Sequence, residues 1–347
     1  MGGAMHMGRT GMARGILFCA LGAMALLAGQ ATASEPITAY CPMSEDDCRS
    51  VLAAFKRDTG HDARFVRLGA GEIVARLRAE KSNPRAALWL AGAADNFIQA
   101  ANEGLLEAHE SKGLSRVRPE HADPKRMWTP ISMSPIVFAY NEEQLKRIGA
   151  KPPTSWKDFA APHFRQQLAL AHPAASGTAY VSLATMVQLL GEDPAFALMK
   201  AINENVVQYT RSGSAPSRMA STGEVAIAMS FSQDIEAALD QGYKLGFSAP
   251  AEGTGFEINA SALVANAPAA QRAPTRAFLD WVLTDAGQSA MAATFRGAVV
   301  PGHANPKARI DTGAIKLIDY NAAWAGENRA RLLRRFEQEV RNASAAR

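Results

Sequence analysis

Tyr209-Thr-Arg-Ser-Gly-Ser-Ala-Pro-Ser217, followed by Gly223-Glu-Val-Ala-Ile-Ala-Met229 and Ser230-Phe-Ser-Gln-Asp234, has the form strand, Ser/Gly turn, short helix, apolar strand, polar turn, helix. Ser212, Gly213 and Ser214 stand where a strand ends and a helix begins. Hydroxyls and unpaired backbone N–H groups converge there with the positive end of a helix dipole, which suits an anion. A plain helix cap by Ser212 or Ser214 accounts for the same residues equally well. Residues 225–229 read as a buried strand whose exit at 230–234 opens beside the first turn, because ligand crevices form outside the carboxyl ends of parallel strands. One turn then holds an anion while the next presents a carboxylate, Asp234.

Toward the N-terminus the same unit recurs. A strand at 37–40 leads through Cys41-Pro-Met-Ser44 into a helix that Ser44 and Asp47 open, with Cys48, Val51, Leu52 and Phe55 on one face. A strand at 63–67, the turn Leu68-Gly-Ala-Gly71 and a helix at 72–80 follow, then a strand at 86–90, the turn Ala91-Gly-Ala93 and a helix at 95–103. Three successive β/α units predict an open, mainly parallel sheet with its turns gathered on one edge. Later, a strand at 168–171 leads through His172-Pro-Ala-Ala-Ser176-Gly-Thr178 into an apolar helix, a second Ser/Gly/Thr helix start. Apolar runs at 135–140 and 258–264 are the expected crossings between two lobes, the first near 131–135.

Length and composition agree. A chain of 347 residues exceeds what one core fills, and 48% hydrophobic with 20% charged content describes a globular protein. Arg9 and Arg14 precede an apolar run at 16–28, and Ala31-Thr32-Ala33 has the small-x-small form of a signal peptidase site. We therefore expect residues 1–33 to be a signal peptide cleaved near Ala33-Ser34 and the remainder to be periplasmic. Removing that segment takes away two arginines and no acid, lowering the formal charge of +4 by two. So balanced a surface argues against a nucleic-acid partner. Cys41 and Cys48 are expected to pair in an oxidising compartment; two cysteines alone do not make a metal site.

The ordered set Tyr40-Cys-Pro-Met-Ser44, Gly69-Ala-Gly-Glu72, Ser176-Gly-Thr178, Ser212-Gly-Ser-Ala-Pro216, Gly223-Glu-Val-Ala-Ile227 and Gly253-Thr-Gly-Phe-Glu257 resembles the periplasmic solute-binding proteins of ABC importers, in the branch similar to ferric-iron-binding proteins. The likeness runs on to Asp319-Tyr-Asn and Trp324-Ala-Gly-Glu-Asn-Arg329. It implies an α/β, two-lobed periplasmic-binding-protein fold of type II, each lobe a mainly parallel sheet flanked by helices. The expected division is 34–133 with 258–310 as the N-terminal lobe, and 134–257 with 311–347 as the C-terminal lobe. Ferric binders of this family place two adjacent tyrosines just after the Gly-Glu-Val-Ala-Ile strand. Here that place reads Ser230-Phe-Ser-Gln-Asp234, which departs from iron binding. Organophosphate binders of the family carry an Asp at the position of Asp234 and a Glu at that of Glu257; the hexose-phosphate pattern has a His where this chain has Gln233. Aminoethylphosphonate binders are further relatives of fitting ligand chemistry.

The resemblance and the residues together give a solute with an acidic head and a tail that carries hydroxyls or an ammonium. Ser176, Gly177, Thr178, Ser212, Gly213 and Ser214 would hold the head from the C-terminal lobe. Ser44, Ala70 and Gly71 would approach from the N-terminal lobe, with Asp234 and Glu257 facing the tail. Helix capping by Asp234 and a hinge hydrogen bond from Glu257 are the plainer roles for those two. The expected partners are a small anionic solute and an inner-membrane permease; the protein is expected to be a monomer with no cofactor and no metal site. Ferric iron or an iron chelate is the alternative ligand. An exported hydrolase is the competing class, but no Gly-x-Ser-x-Gly elbow or paired-metal pattern occurs. Arg329, Arg331, Arg334 and Arg335 in the terminal helix are expected to form a solvated face balanced by Glu337 and Glu339.

Overall fold

The computed structural model describes Met1 and residues 35–342. The signal-peptide and cleavage expectations lie outside these residues. The first half of the sheet is built from β1 (Ile37–Cys41), α1 (Glu45–Thr59), β2 (Ala63–Arg67), α2 (Ala70–Ala79), β3 (Leu88–Trp89), α3 (Ala94–Asn102) and the short β4 (Leu106–Glu107). β2, β1 and β3 run parallel, so the turns after them gather on one edge. Ser44 caps α1 by accepting the Asp47 N–H at 3.1 Å, and Gly60 ends that helix in the left-handed region at φ 76°, where a side chain would be strained. Cys41 and Cys48 are disulfide-bonded across the β1–α1 turn, with Cα atoms 6.3 Å apart.

The long β5 (Thr129–Tyr140) carries the chain across. Its first half pairs antiparallel with the later strand at residues 256–264, and its second half pairs with residues 227–231, the change of partner falling at Pro135 and Ile136. Beyond it come α4 (Glu142–Arg147), β6 (Leu168–Ala171), α5 (Gly177–Leu190), α6 (Glu192–Asn203), β7 (Val206–Thr210), α7 (Ala215–Ser221), β8 (Ile227–Phe231), α8 (Ser232–Asp240) and β9 (Gly246–Ser248). β10 (Phe256–Val264) returns, followed by α9 (Ala269–Trp281), α10 (Asp285–Ala292) and α11 (Ala322–Arg335), which continues into a π-helical turn at Phe336–Arg341. The strand order is β2-β1-β3-β10-β5-β8-β6-β7. Parallel pairs thus form both flanks, and the two crossing strands meet antiparallel in the middle.

Two main cores follow from this layout. One gathers Tyr40, Phe55, Trp89, Phe97, Leu263 and Phe278; the other gathers Phe138, Trp156, Tyr180, Phe196, Met229 and Leu332. A smaller third cluster, with Val137, Ala228 and Ile235, lies under the other face of β5 and β8.

Two sequence expectations shift. The strand expected at 225–229 pairs instead over 227–231, because Ser230 and Phe231 are in register with Val137 and Ile136 of β5. Of the arginines of α11, Arg331 and Arg334 are exposed as a solvated face would be, but Arg329 and Arg335 are half-buried and the balancing acids are mostly others than Glu337 and Glu339. Arg329 bonds Asp95 at 2.8 Å and lies 4.2 Å over the Tyr180 ring, while Arg331 and Arg335 grip Glu192 on α6. Only Arg335 also reaches Glu339, at 2.7 Å. A guanidinium stacks on an aromatic face while its edge donates to a carboxylate, so an arginine on a packed helix need not point to water.

Candidate functional site

β8, β6 and β7 are neighbours, with β6 parallel to both, and the turns that leave their carboxyl ends carry Ser230 to Asp234, Ser176 to Thr178, and Ser212 to Ser214. The three turns touch. A Cβ on Gly213 would overlap Thr178 Oγ1 and come within 2.8 Å of Ser176 Oγ, so the second turn packs its bare backbone on the hydroxyls of the first. Ser230 Oγ lies 3.1 Å from the Gly213 carbonyl and 3.2 Å from Asp234 Oδ2, sharing its one proton between them, which ties the third turn to the other two. Ser176 caps α5 through a long 3.5 Å bond from the Ala179 N–H, and both Ser176 and Thr178 are buried. Ser214 occupies the cap position of α7 yet makes no capping bond; its hydroxyl meets that of Ser212 at 3.0 Å. The plain cap is therefore not what these two serines make.

Glu257 stands on β10 immediately beyond the second crossing. A Cβ on Gly177 would lie 3.3 Å from Glu257 Oε2, so the carboxylate leans on the start of α5. It makes no hydrogen bond or ion pair among the described residues, so it is not a hinge residue tied to backbone. Burial pushes its carboxyl up to about 8, reinforced by Asp95 and Asp234 and opposed by Arg296 and Arg329. Burial likewise raises Asp234 to about 6, with Arg296 and the Ser230 hydroxyl opposing and Asp47 reinforcing. Asp234 is the third residue of α8 and accepts from Ser230 rather than from a free backbone N–H, so its side chain is not spent as a cap. Tyr320 lies in the same field, and its phenol is held well above its ordinary value by burial, then by Asp95.

From the other flank, Ser44 and Asp47 open α1 at the end of β1. Asp47 Oδ2 accepts from Arg296 Nη1 at 3.0 Å, and both act on Asp234. Asp95 opens α3 after β3 and pairs with Arg329 of α11, a bond from the first core's helix to the second's. Ala70 and Gly71 open α2, and the space around Gly71 is open. Among the sequence-chosen residues, then, Ser176, Gly177, Thr178, Gly213, Asp234 and Glu257 come together. Ser212 and Ser214 extend that group, Ser44 adjoins it through Asp47, and Gly71 stands apart.

Sequence reasoning missed Arg296, Asp47 as an ion-pair partner, Asp95 and Arg329. Arg296 follows α10 on a segment clipped to β5 by reciprocal bonds between Met133 and Gly297 at 2.7 and 2.9 Å, and its side chain is 10% exposed. No periodicity marks it. Arg329 did leave a signal, since it shares a helical stripe with Ala325, Leu332 and Phe336. His172 serves packing: its ring meets Tyr209 and Phe336, and its Nε2 pairs with Glu337 at 2.9 Å. Among the described residues no three His, Cys, Asp or Glu side chains gather as a metal-holding group, and no helix is long and apolar enough to cross a membrane.

Three kinds of likeness bear on this geometry. The profile of the bacterial extracellular solute-binding proteins matches residues 91–321. An uncharacterized protein of Haemophilus influenzae is 33% identical over 327 residues, 91% of this chain and 93% of its own. The periplasmic binding protein AfuA from Actinobacillus pleuropneumoniae, solved with fructose-6-phosphate bound, superposes with a TM-score of 0.81 at 31% identity, over 88% of this chain and 98% of that one. A periplasmic protein of Salmonella typhi named for 2-aminoethylphosphonate binding is 31% identical over 178 residues, 50% of each chain.

Proposed function

The chain belongs to the bacterial extracellular solute-binding proteins, and on that premise we propose that it captures a small organophosphate or phosphonate between its lobes and delivers it to the permease of an ABC importer. Members of this family bind solutes rather than transform them. One observation carries the reading: the Ser/Gly/Thr turns after β6, β7 and β8 converge on one point, with two carboxylates, Asp234 and Glu257, beside them. Neutral hydroxyls and backbone N–H groups at the start of α5 hold an acidic head. The carboxylates would repel a simple inorganic anion, so the solute's other end has groups that meet them.

In this assignment Ser176, Gly177, Thr178, Ser212, Gly213 and Ser214 receive the head from the C-terminal lobe, residues 134–257 with 311–347. Ser44, with Ala70 and Gly71 on the same strand edge, approaches from the N-terminal lobe, residues 34–133 with 258–310. Closure brings the second set onto the solute and is favoured only so far as the contacts differ between open and closed forms. The permease then distinguishes loaded from empty protein. The protein works as a periplasmic monomer after removal of residues 1–33. Phenolate ligation of ferric iron is not part of the proposal, because residues 230–234 supply no tyrosine.

A thermal-shift screen of ligand-stripped protein against hexose phosphates, aminoethylphosphonate, inorganic phosphate, dicarboxylates and ferric citrate tests this. At about 100 times its dissociation constant a ligand adds about 2.7 kcal/mol. A rise with an organophosphate or phosphonate is expected; a rise with ferric citrate alone, or with none of them, overturns the reading.

A further inference from the structure

α11 joins the second core and lies against the first. Its Ala325 and Leu332 pack with Phe138 and Tyr180, and the Tyr180 hydroxyl donates to the Ala325 carbonyl, which ties α11 to α5. On its other side α11 meets α3, whose Phe97 and Ala100 belong to the first core; a Cβ on Gly326 would lie 3.8 Å from that of Asp95. Arg329, about one turn further on, spans the gap. Its guanidinium lies 4.2 Å over the Tyr180 ring, and its Nη1 donates to Asp95 Oδ2 at 2.8 Å. The other oxygen of Asp95 accepts from the Asn96 N–H at 2.9 Å, which orients the carboxylate. The Asp95 side chain is 16% exposed and that of Arg329 30%, so the pair is partly sheltered from water.

The two ends of this bridge lie where a solute between the lobes would be gripped. Tyr180 donates its N–H to the Ser176 carbonyl at 3.1 Å, so it stands one turn behind the start of α5 that receives the acidic head. Asp95 stands in the first turn of α3, beyond the carboxyl end of β3, on the other flank of the sheet. Neither is among the hydroxyls and N–H groups that converge on the head. A pair that joins the two flanks in one arrangement of the lobes and parts in the other biases the equilibrium between them. We propose that Arg329 is a positioning residue: with Asp95 and Tyr180 it latches α3 to α5 in the closed, solute-holding arrangement, and so tightens binding without touching the solute. This rests on the two-lobed binding reading above and deepens it. A latch changes only the population of the binding-competent form, so it scales the affinity for every solute by one common factor.

Asp95→Asn, Arg329→Gln and the double variant are compared with the parent in two ways. Calorimetry measures the affinity for glucose 6-phosphate, 2-hydroxyethylphosphonate and 2-aminoethylphosphonate, and small-angle X-ray scattering measures the radius of gyration without ligand. The double variant keeps the parent's net charge, which separates loss of the latch from a changed field at Glu257. All three variants are expected to bind each probe about fivefold more weakly, the double variant no more weakly than the singles, and to have a larger radius of gyration than the parent. Unchanged affinities overturn the latch. A double variant whose preference among the probes differs from the parent's also overturns it, since the pair then touches the solute. An unchanged radius of gyration overturns it too, and that readout stands even if no probe binds the parent, the result that refutes the anion reading instead.

Discussion

Glu257 makes a stability prediction that needs no ligand. Its carboxyl sits at about 8 in the folded protein against an ordinary value of 4.5. Between those two values the folded chain binds more protons than the unfolded chain, so stability falls as pH rises through that window. At about 1.4 kcal/mol per pH unit, ionising Glu257 in place costs at most about 5 kcal/mol by pH 9. Partial solvent access and relaxation reduce the expected figure to about 2 kcal/mol. Glutamine at 257 keeps the shape and never ionises. Glu257→Gln should therefore leave the apo protein unchanged at pH 5 and stabilise it by about 2 kcal/mol at pH 9, which is ~4 °C in Tm for a chain of this size. Urea unfolding at pH 5, 7 and 9 measures the difference directly. Equal effects at pH 5 and pH 9, or no gain at pH 9, would show that the carboxylate is solvated or paired and that the charge argument for the site is wrong.

Two further perturbations probe the turns. Gly213→Ala places a methyl group on Thr178 Oγ1 and should cost about 1–3 kcal/mol of stability along with most of the ligand-induced thermal shift, whereas Gly71→Ala, inside α2 with nothing within 4 Å of the added Cβ, should cost no stability; matching losses of stability in differential scanning fluorimetry would refute the packing of the two turns. Replacing Cys41 and Cys48 together with serine opens the loop that carries Ser44 and should lower stability by about 2–3 kcal/mol in denaturant titrations, with reductant acting on the parent protein and not on the variant; a reductant effect on the variant would contradict this.

Local chemistry made much of the fold readable. β2 and β6 fall on the expected residues because alternation and breakers bound them: Gly60 precedes one, and His172-Pro173 follows the other. Ser44 and Ser176 announced their helices as cap residues do, and the Ser/Gly turns could be placed at one strand edge from the β/α order alone. The electrostatic half of the site was not readable, since it depends on distances between segments far apart in sequence. Asp47 reads locally as part of a capping pattern, yet its carboxylate answers Arg296, 249 residues later. Arg329 shares the packed stripe of Ala325, Leu332 and Phe336, yet its partner Asp95 is found only when α11 is laid against α3. Charge pairing of this kind leaves no period in the sequence, and a residue's partner, not its type, decides its role.

The strand order also governs when this chain can fold. Trp89 of β3 has Ala262 of β10 as its antiparallel neighbour, and Thr38 next to the start of β1 donates its N–H to Gln271 across 233 residues. The N-terminal flank of the sheet gains its last partners only when the chain has been made to about residue 271, whereas β6, β7 and β8 find all of theirs within residues 129–248; contacts of such long sequence separation make for slow folding. The two flanks of one sheet therefore differ in how much of the chain each must wait for. The return of β10 to the middle of the sheet, which joins the two flanks, is also what makes the first flank wait for the last strand.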